Sequence, residues 1–261
     1  MNHIDIKEII EISRQAGQRI MQVYAQPDFA ISKKTDNSVL TIADMHSHDY
    51  ICQSLNTLYP SVPILSEESA DQYAYDERQQ WQRFFLVDPL DGTKEFIQRN
   101  GEFTVNIALI ENGQPILGVV YAPALDLLYY AEQHKGAYKV VKDQAVRLSA
   151  KNLTDKKVRA VVSRSHLCSQ TQAFLDELTE AGHEVSTVTI GSALKFGLIA
   201  ESVADIYPRF SPTMEWDTAA GHILVSESGK SIHRVVDNQP LQYNKPSLIN
   251  PGFIVRDAIA N

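Results

Sequence analysis

Cysteine, basic charge and long apolar runs are what this chain has little of, and each shortage removes a class of function. Its two cysteines, Cys52 and Cys168, form neither a thiolate metal cluster nor a disulfide framework, so a reducing, cytoplasmic setting is expected. Lys and Arg total 24 against 32 Asp and Glu, a formal charge of -8, the sign that repels nucleic-acid backbones and anionic membranes. No stretch approaches the roughly 18 consecutive apolar residues of a membrane span, so the chain is expected to be soluble and unprocessed, with no transmembrane segment. What is there is globular: 44% hydrophobic and 21% charged residues lie far from disordered, collagen-like or coiled-coil usage.

At 261 residues the chain stands near the size at which single cores stop growing, and two packed subdomains are expected, 1–154 and 155–261. In the first, Ile6, Ile9, Ile10, Ser13, Ala16, Ile20 and Val23 recur at helical spacing up to Pro27, and a second helix is expected from about Thr41, its N-cap, to Tyr59, with Met45, Cys52, Leu55 and Leu58 as its apolar stripe. Strands follow at 63–65, 84–87, 103–110, 115–121, 127–131 and 137–141, with Asn112-Gly113 as a hairpin turn. The first half thus reads as helices on a large, mainly antiparallel sheet. The second alternates: strands at 158–162, 184–190, 205–207 and 231–236 and helices at 169–181, 192–201 and 216–228, an α/β half.

The chemistry concentrates where the apolar strand of FFLVDPLDGTKEF, residues 84–96, ends in Asp88-Pro89-Leu90-Asp91-Gly92-Thr93. Two carboxylates three residues apart at a strand end can converge on a hard cation, and Gly92, Thr93 and Lys94 can offer amides to an anion if a helix starts there. The same residues also make an ordinary surface turn. Ser66-Glu67-Glu68-Ser69 likewise follows a short apolar strand and can be read as solvated surface; Asp217 of EWDTAAGHILV can be read as a helix cap, with Ala219, Ala220 and Gly221 permitting close helix approach. Taken together, Glu67, Asp88, Asp91 and Asp217 carry about four negative charges that need cations, and Mg2+ prefers such oxygen donors. An EF-hand counted from Asp88 fails, because Thr93 falls where Gly is required and Arg99 where the bidentate Glu belongs. A phospho-aspartyl phosphatase of the haloacid-dehalogenase type is demoted by the two-residue gap between Asp88 and Asp91, and a non-catalytic cation-binding protein stays open.

With these segments in order, the chain resembles the inositol monophosphatase-like superfamily of Mg2+-dependent, lithium-sensitive phosphatases, and within it the 3'(2'),5'-bisphosphate nucleotidase branch. DPLDGTKEF, SRSH, GSALKFGLIAE, IYPRF and WDTAAGH carry the likeness, from about Lys34 to the final LINPGF. The resemblance implies a layered αβαβα sugar-phosphatase fold and two or three Mg2+ ions held by Glu67, Asp88, Asp91, Asp217 and the backbone carbonyl of Leu90. It implies Glu67, Thr93 and Asp44 as catalytic residues, Thr93 paired with Asp44 to activate the attacking water, although Asp44 alone reads as an ordinary first-turn helix acid. Substrate contact is expected at Glu67, Leu90, Asp91, Gly92, Thr93, Ser163, His166, Ser192, Lys195 and Asp217. The implied reaction is hydrolysis of adenosine 3',5'-bisphosphate to AMP and phosphate without a phospho-enzyme, extending by analogy to the 5'-phosphosulfate form; an inositol or sugar monophosphatase is the nearest rival. Peripheral inner-membrane association is left open by the branch, and the oligomeric state is unassigned. One departure is Ser38-Val39-Leu40-Thr41, where the branch has Ser-Pro-Val-Thr.

Overall fold

The computed structural model describes residues 4–27, 31–33, 39–151, 156–164 and 168–257. The first helix, α1 (Ile6–Tyr24), is capped by the Asp5 side chain on the Lys7 amide. A short ribbon, β1 (Ile31–Lys33) with β2 (Val39–Thr41), leads into α2 (Ile42–Leu58), whose N-cap is Thr41. The buried stripe of α2 is Ala43, Ser47, Ile51 and Leu55; Leu58 is 43% exposed rather than core, since the stripe follows i, i+4 spacing from Ala43 and Leu58 falls off it.

β3 (Ile64–Ser66) opens a seven-stranded sheet. After a 3-10 turn at Glu67–Gln72 and the short α3 (Tyr75–Arg78), β4 (Arg83–Asp91) runs parallel to β3. Then come α4 (Thr93–Ile97) and the antiparallel meander β5 (Thr104–Glu111), β6 (Gln114–Ala122), β7 (Leu127–Glu132), β8 (Gly136–Val141) and β9 (Gln144–Leu148). The expected Asn112-Gly113 hairpin joins β5 to β6, whereas β9 carried no apolar alternation by which to be read: Gln144 to Arg147 are all exposed.

Residues 84–87 read as an unbroken apolar run because β4 is covered on both faces there. Phe85 and Val87 face the α1/α2 layer with Ile9, Ile20, Ile51 and Leu55. Phe84 and Leu86 face the opposite layer, built from α6 (Leu194–Ala200) and α7 (Glu215–Glu227). Beyond those helices lie the parallel pair β10 (Lys157–Ser163) and β11 (Glu184–Ile190), the sheet ordered β12 (Tyr207–Arg209), β16 (Phe253–Asp257), β14 (Lys230–Arg234), and the pair β13 (Thr213–Met214) and β15 (Ile249–Asn250). α5 (Ser169–Glu180) covers β11 from outside through Leu175 and Phe174. The result is the layered α-β-α-β-α arrangement, with one core cluster that spans both halves from Leu65 to Val255.

Several boundaries differ from expectation: β4, expected to end at Val87, runs on through a bulge to Asp91. The helix expected from Ser192 begins at Leu194, because Ser192 adopts a left-handed φ of 50°. The strand expected at 205–207 is Tyr207–Arg209, paired with β16. The strand expected to reach residue 236 stops at Arg234, where Val235 and Val236 turn out to solvent. Among the described residues no helix is long and apolar enough to cross a membrane.

Candidate active site

Parallel pairing of β3 with β4 sets Ser66 opposite Val87, so the residues that follow are neighbours: Glu67, where β3 has ended, and Asp88, still in β4. From Asp88 the ladder to β5 slips: Asp88 faces Asn106 and Asp91 faces Thr104, so three steps on β4 match two on β5. This bulge contains Pro89, which has no amide to give the ladder. The Leu90 amide turns back to Asp88 Oδ1 at 3.1 Å, and Ser47 Oγ of α2 holds the Pro89 carbonyl at 2.7 Å. Gly92 then takes a φ of 92°, with the Glu102 carbonyl 3.1 Å from where a Cβ would lie, and α4 starts at Thr93.

α7 delivers the remaining carboxylate. Asp217 Oδ2 accepts from the Met214 amide at 2.8 Å, so the capping reading of Asp217 holds alongside its place at the site. Glu215, one turn edge away, is wholly buried and anchors the helix start through the Asn244 amide at 2.6 Å and the Lys245 amide at 3.0 Å.

These elements enclose a cavity of about 1010 Å3 lined by Glu67, Asp88, Leu90, Asp91, Gly92, Thr93 and Asp217, and also by Ser163, Ser192, Lys195 and Arg209. Sequence segments more than a hundred residues apart thereby line one cavity. His166 lies outside the described residues, as do Lys34 and Ser38. Asp44 is buried behind this wall, and its Oδ2 is engaged by the Thr41 amide at 2.8 Å and the Thr41 hydroxyl at 2.5 Å. The reading of Asp44 as a first-turn helix acid therefore holds as well, and it closes a capping box with Thr41.

Burial, then the charges of Glu67, Asp91, Asp217 and Asp44, holds the Asp88 carboxyl well above the ordinary carboxylate range. Burial also pushes Asp91 up to about 6, against the pull of Lys195 and of the Asn106 amide. Asp217 is raised well by burial and by Asp91. Lys195 moves the other way, down to about 8, because burial outweighs the attraction of Asp91. Its Nζ donates to the carbonyls of Ser192 at 2.6 Å and Ile190 at 3.4 Å. Arg209 donates through Nε to Ser211 O at 3.1 Å and through Nη2 to Pro212 O at 3.2 Å.

Among the described residues no three His, Cys, Asp or Glu side chains are drawn tightly enough together to form a metal centre unaided. The chemistry of the donor set nevertheless suits Mg2+: hard oxygens only, with Glu67, Asp88, Asp91 and Asp217 all facing one cavity. Asn106, Glu95 and Glu102 were not singled out by sequence reasoning. A readable signal existed for Asn106, the one amide in the apolar run TVNIALI; its Nδ2 reaches Asp91 Oδ2 at 3.4 Å while its Oδ1 is buried without a partner.

With this geometry in hand, comparison with known proteins gives four findings. The model of the Inositol monophosphatase family matches residues 4–256. A 3'(2'),5'-bisphosphate nucleotidase CysQ of Salmonella typhimurium is 47% identical over 256 residues, covering 96% of this chain and 98% of that protein. The crystal structure of CysQ from Bacteroides thetaiotaomicron superposes with a TM-score of 0.85 at 41% identity, covering 97% of this chain and 96% of that one. An IMPase of Thermotoga maritima has the same fold at 24% identity, with a TM-score of 0.78 and coverage of 96% and 91%.

Proposed function

The chain belongs to the inositol monophosphatase family, and from that premise we propose that it is a Mg2+-dependent 3'(2'),5'-bisphosphate nucleotidase that hydrolyses adenosine 3',5'-bisphosphate to AMP and phosphate. The observation that carries this reading is one cavity whose wall brings Glu67, Asp88, Asp91 and Asp217 together with two buried cations, Lys195 and Arg209. An acidic wall alone fits any metal-assisted phosphatase; the added cations fit a substrate with a second phosphate.

In this reading Glu67, Asp88, Asp91, Asp217 and the Leu90 carbonyl hold the Mg2+ ions, two or three in number. Bound there, Mg2+ supplies charge neutralisation for the phosphoryl oxygens and a lowered pKa for the attacking water. Thr93 orients that water and passes its proton toward Asp44, and Glu67 assists from the facing strand end. Gly92 leaves room for the phosphate beside Thr93. Ser163, His166, Ser192 and Lys195 contact the nucleotide, and Lys195 takes the second phosphate. Direct attack by water leaves no phosphate on Asp88, and the 5'-phosphosulfate analogue is a second substrate.

The test is phosphate release from adenosine 3',5'-bisphosphate and from inositol 1-phosphate at equal concentration with Mg2+, then with millimolar Li+ added. A Li+-sensitive preference for the nucleotide is expected, since Li+ in a Mg2+ position brings half the charge. Preference for inositol phosphate overturns the substrate; release from neither overturns the enzymatic reading.

A further inference from the structure

Glu102 belongs to none of the acidic motifs, yet it ties together the three segments that meet at the substrate side of the cavity. It sits in the loop before β5 with its side chain only 19% exposed. Its Oε1 accepts from Arg164 Nη2 at 2.8 Å, and its Oε2 accepts from Arg164 Nε at 3.3 Å and from the Gly191 amide at 2.8 Å. Arg164 immediately follows Ser163 at the end of β10, and Gly191 immediately follows the end of β11. One carboxylate therefore pins the ends of both parallel strands.

The Gly191 bond has a directional consequence. The N–H of Gly191 and the C=O of Ile190 belong to one planar trans peptide, so they point in opposite directions. Fixing the N–H on Glu102 turns the Ile190 carbonyl away from Glu102, and that carbonyl accepts from Lys195 Nζ at 3.4 Å. The next carbonyl, Ser192 O, accepts from the same Nζ at 2.6 Å. Ser192 holds a φ of 50°, which a residue with a side chain adopts only when its surroundings impose it. Backbone packing imposes it from the same side: a Cβ on Gly191 would come within 2.8 Å of the Glu102 carbonyl, and one on Gly92 within 3.3 Å of Ser192 Cβ.

We propose that Glu102 is a positioning residue for substrate specificity: by orienting the Ile190–Gly191 peptide and holding Arg164, it places Lys195 and Ser163 to receive the second phosphate of a bisphosphate substrate. This rests on the proposed function, in which Lys195 takes that phosphate. Glu102 itself touches no reacting atom, so its effect falls on capture of the bisphosphate and spares the hydrolytic step.

The test compares adenosine 3',5'-bisphosphate with adenosine 3'-monophosphate on the Mg2+-loaded full chain. Glu102→Ala is expected to raise KM for the bisphosphate about tenfold, the loss of one charge-assisted hydrogen bond, while kcat and both constants for the monophosphate change by less than about twofold. Glu102→Gln keeps an oxygen for the Gly191 amide and recovers most of the bisphosphate KM; Arg164→Ala, which leaves the peptide held, raises it less than Glu102→Ala. Equal losses on both substrates, a fall in kcat alone, or no change in Glu102→Ala overturns the proposal. Lys195→Ala separates the two levels. If it leaves the bisphosphate preference intact, or if the unaltered protein has no such preference, the proposed function of Lys195 fails and this inference with it; if Lys195→Ala abolishes a preference that Glu102→Ala leaves whole, only the inference fails.

Discussion

Gly221 of α7 and Phe196 of α6 are packed so closely that a Cβ on Gly221 would stand 2.2 Å from Phe196 Cδ2 and 2.3 Å from its Cγ. Phe196 has no room to withdraw, for its ring is 5.4 Å from that of Tyr207 and 6.3 Å from that of Phe253. On its other face α7 meets Gly118 of β6, whose Cβ would lie 2.8 Å from the Ala220 carbonyl. The helix that presents Asp217 is thus seated between a strand and a helix by two glycines, and its depth fixes where that carboxylate stands.

Gly221→Ala is therefore expected to lower stability by about 1 to 3 kcal/mol through overpacking, a fall in melting temperature of roughly 2 to 4 °C for each kcal/mol. Because the strain is relieved by lifting α7, activity should fall with it. A variant as stable and as active as the original would show that α7 has slack here.

The close seating of α7 was readable in the run Ala219-Ala220-Gly221, and so were β4, the β5–β6 hairpin and the order of the acidic segments. These features are encoded locally, by apolar alternation, by turn chemistry and by a small-residue triplet. Glu102 was not readable: its partners Arg164 and Gly191 are 62 and 89 residues away, and nothing in its neighbourhood marks it as more than a loop acid. The start of α6 was misplaced for a similar reason, since the left-handed Ser192 is imposed by packing around Gly92, Gly191 and Glu102.

Asp91 titrates near 6 in the folded chain against 3.8 for the free group. A raised carboxylate contributes stability only where it is protonated, so its contribution is present below about pH 4 and is lost as pH rises through about 6. Without Mg2+, Asp91→Asn should then be more stable than the original by about 1 to 3 kcal/mol at pH 7.5, with the gap closing toward pH 4. Melting curves in EDTA at the two pH values measure this. Adding Mg2+ should raise the melting temperature of the original far more than that of the variant, and equal responses would remove Asp91 from the metal site.

Thr93→Ala separates the enzyme from a mere cation binder. Thr93 lines the cavity just after the Gly92 turn, and the proposed mechanism gives its hydroxyl to the attacking water rather than to the metal. Turnover should fall by about 10²- to 10⁴-fold, the usual contribution of a positioned proton-transfer group, while the Mg2+-induced rise in melting temperature persists. Full turnover in this variant would contradict the mechanism, and so would trapping of a phosphorylated Asp88 in the original protein.

His222 offers a test far from the chemistry but on the same helix. Thr218 Oγ1 donates to the Glu215 carbonyl at 3.2 Å and accepts from Tyr243 Oη at 3.3 Å, so the Tyr243 oxygen is left to accept from His222 Nδ1 at 3.0 Å. That network places a proton on Nδ1. Burial, then the charge of His233, drives its pKa down to about 3. The unfolded chain binds this proton near pH 6.5 and the folded chain does not, so stability is lost as pH falls from about 6.5 toward 3. Between pH 6 and pH 4 the original should lose about 2 kcal/mol more than His222→Gln, the difference cancelling the contribution of every other titrating group. Urea unfolding at the two pH values reads it directly. Parallel losses in the two proteins would mean that burial does not hold the ring neutral in the fold.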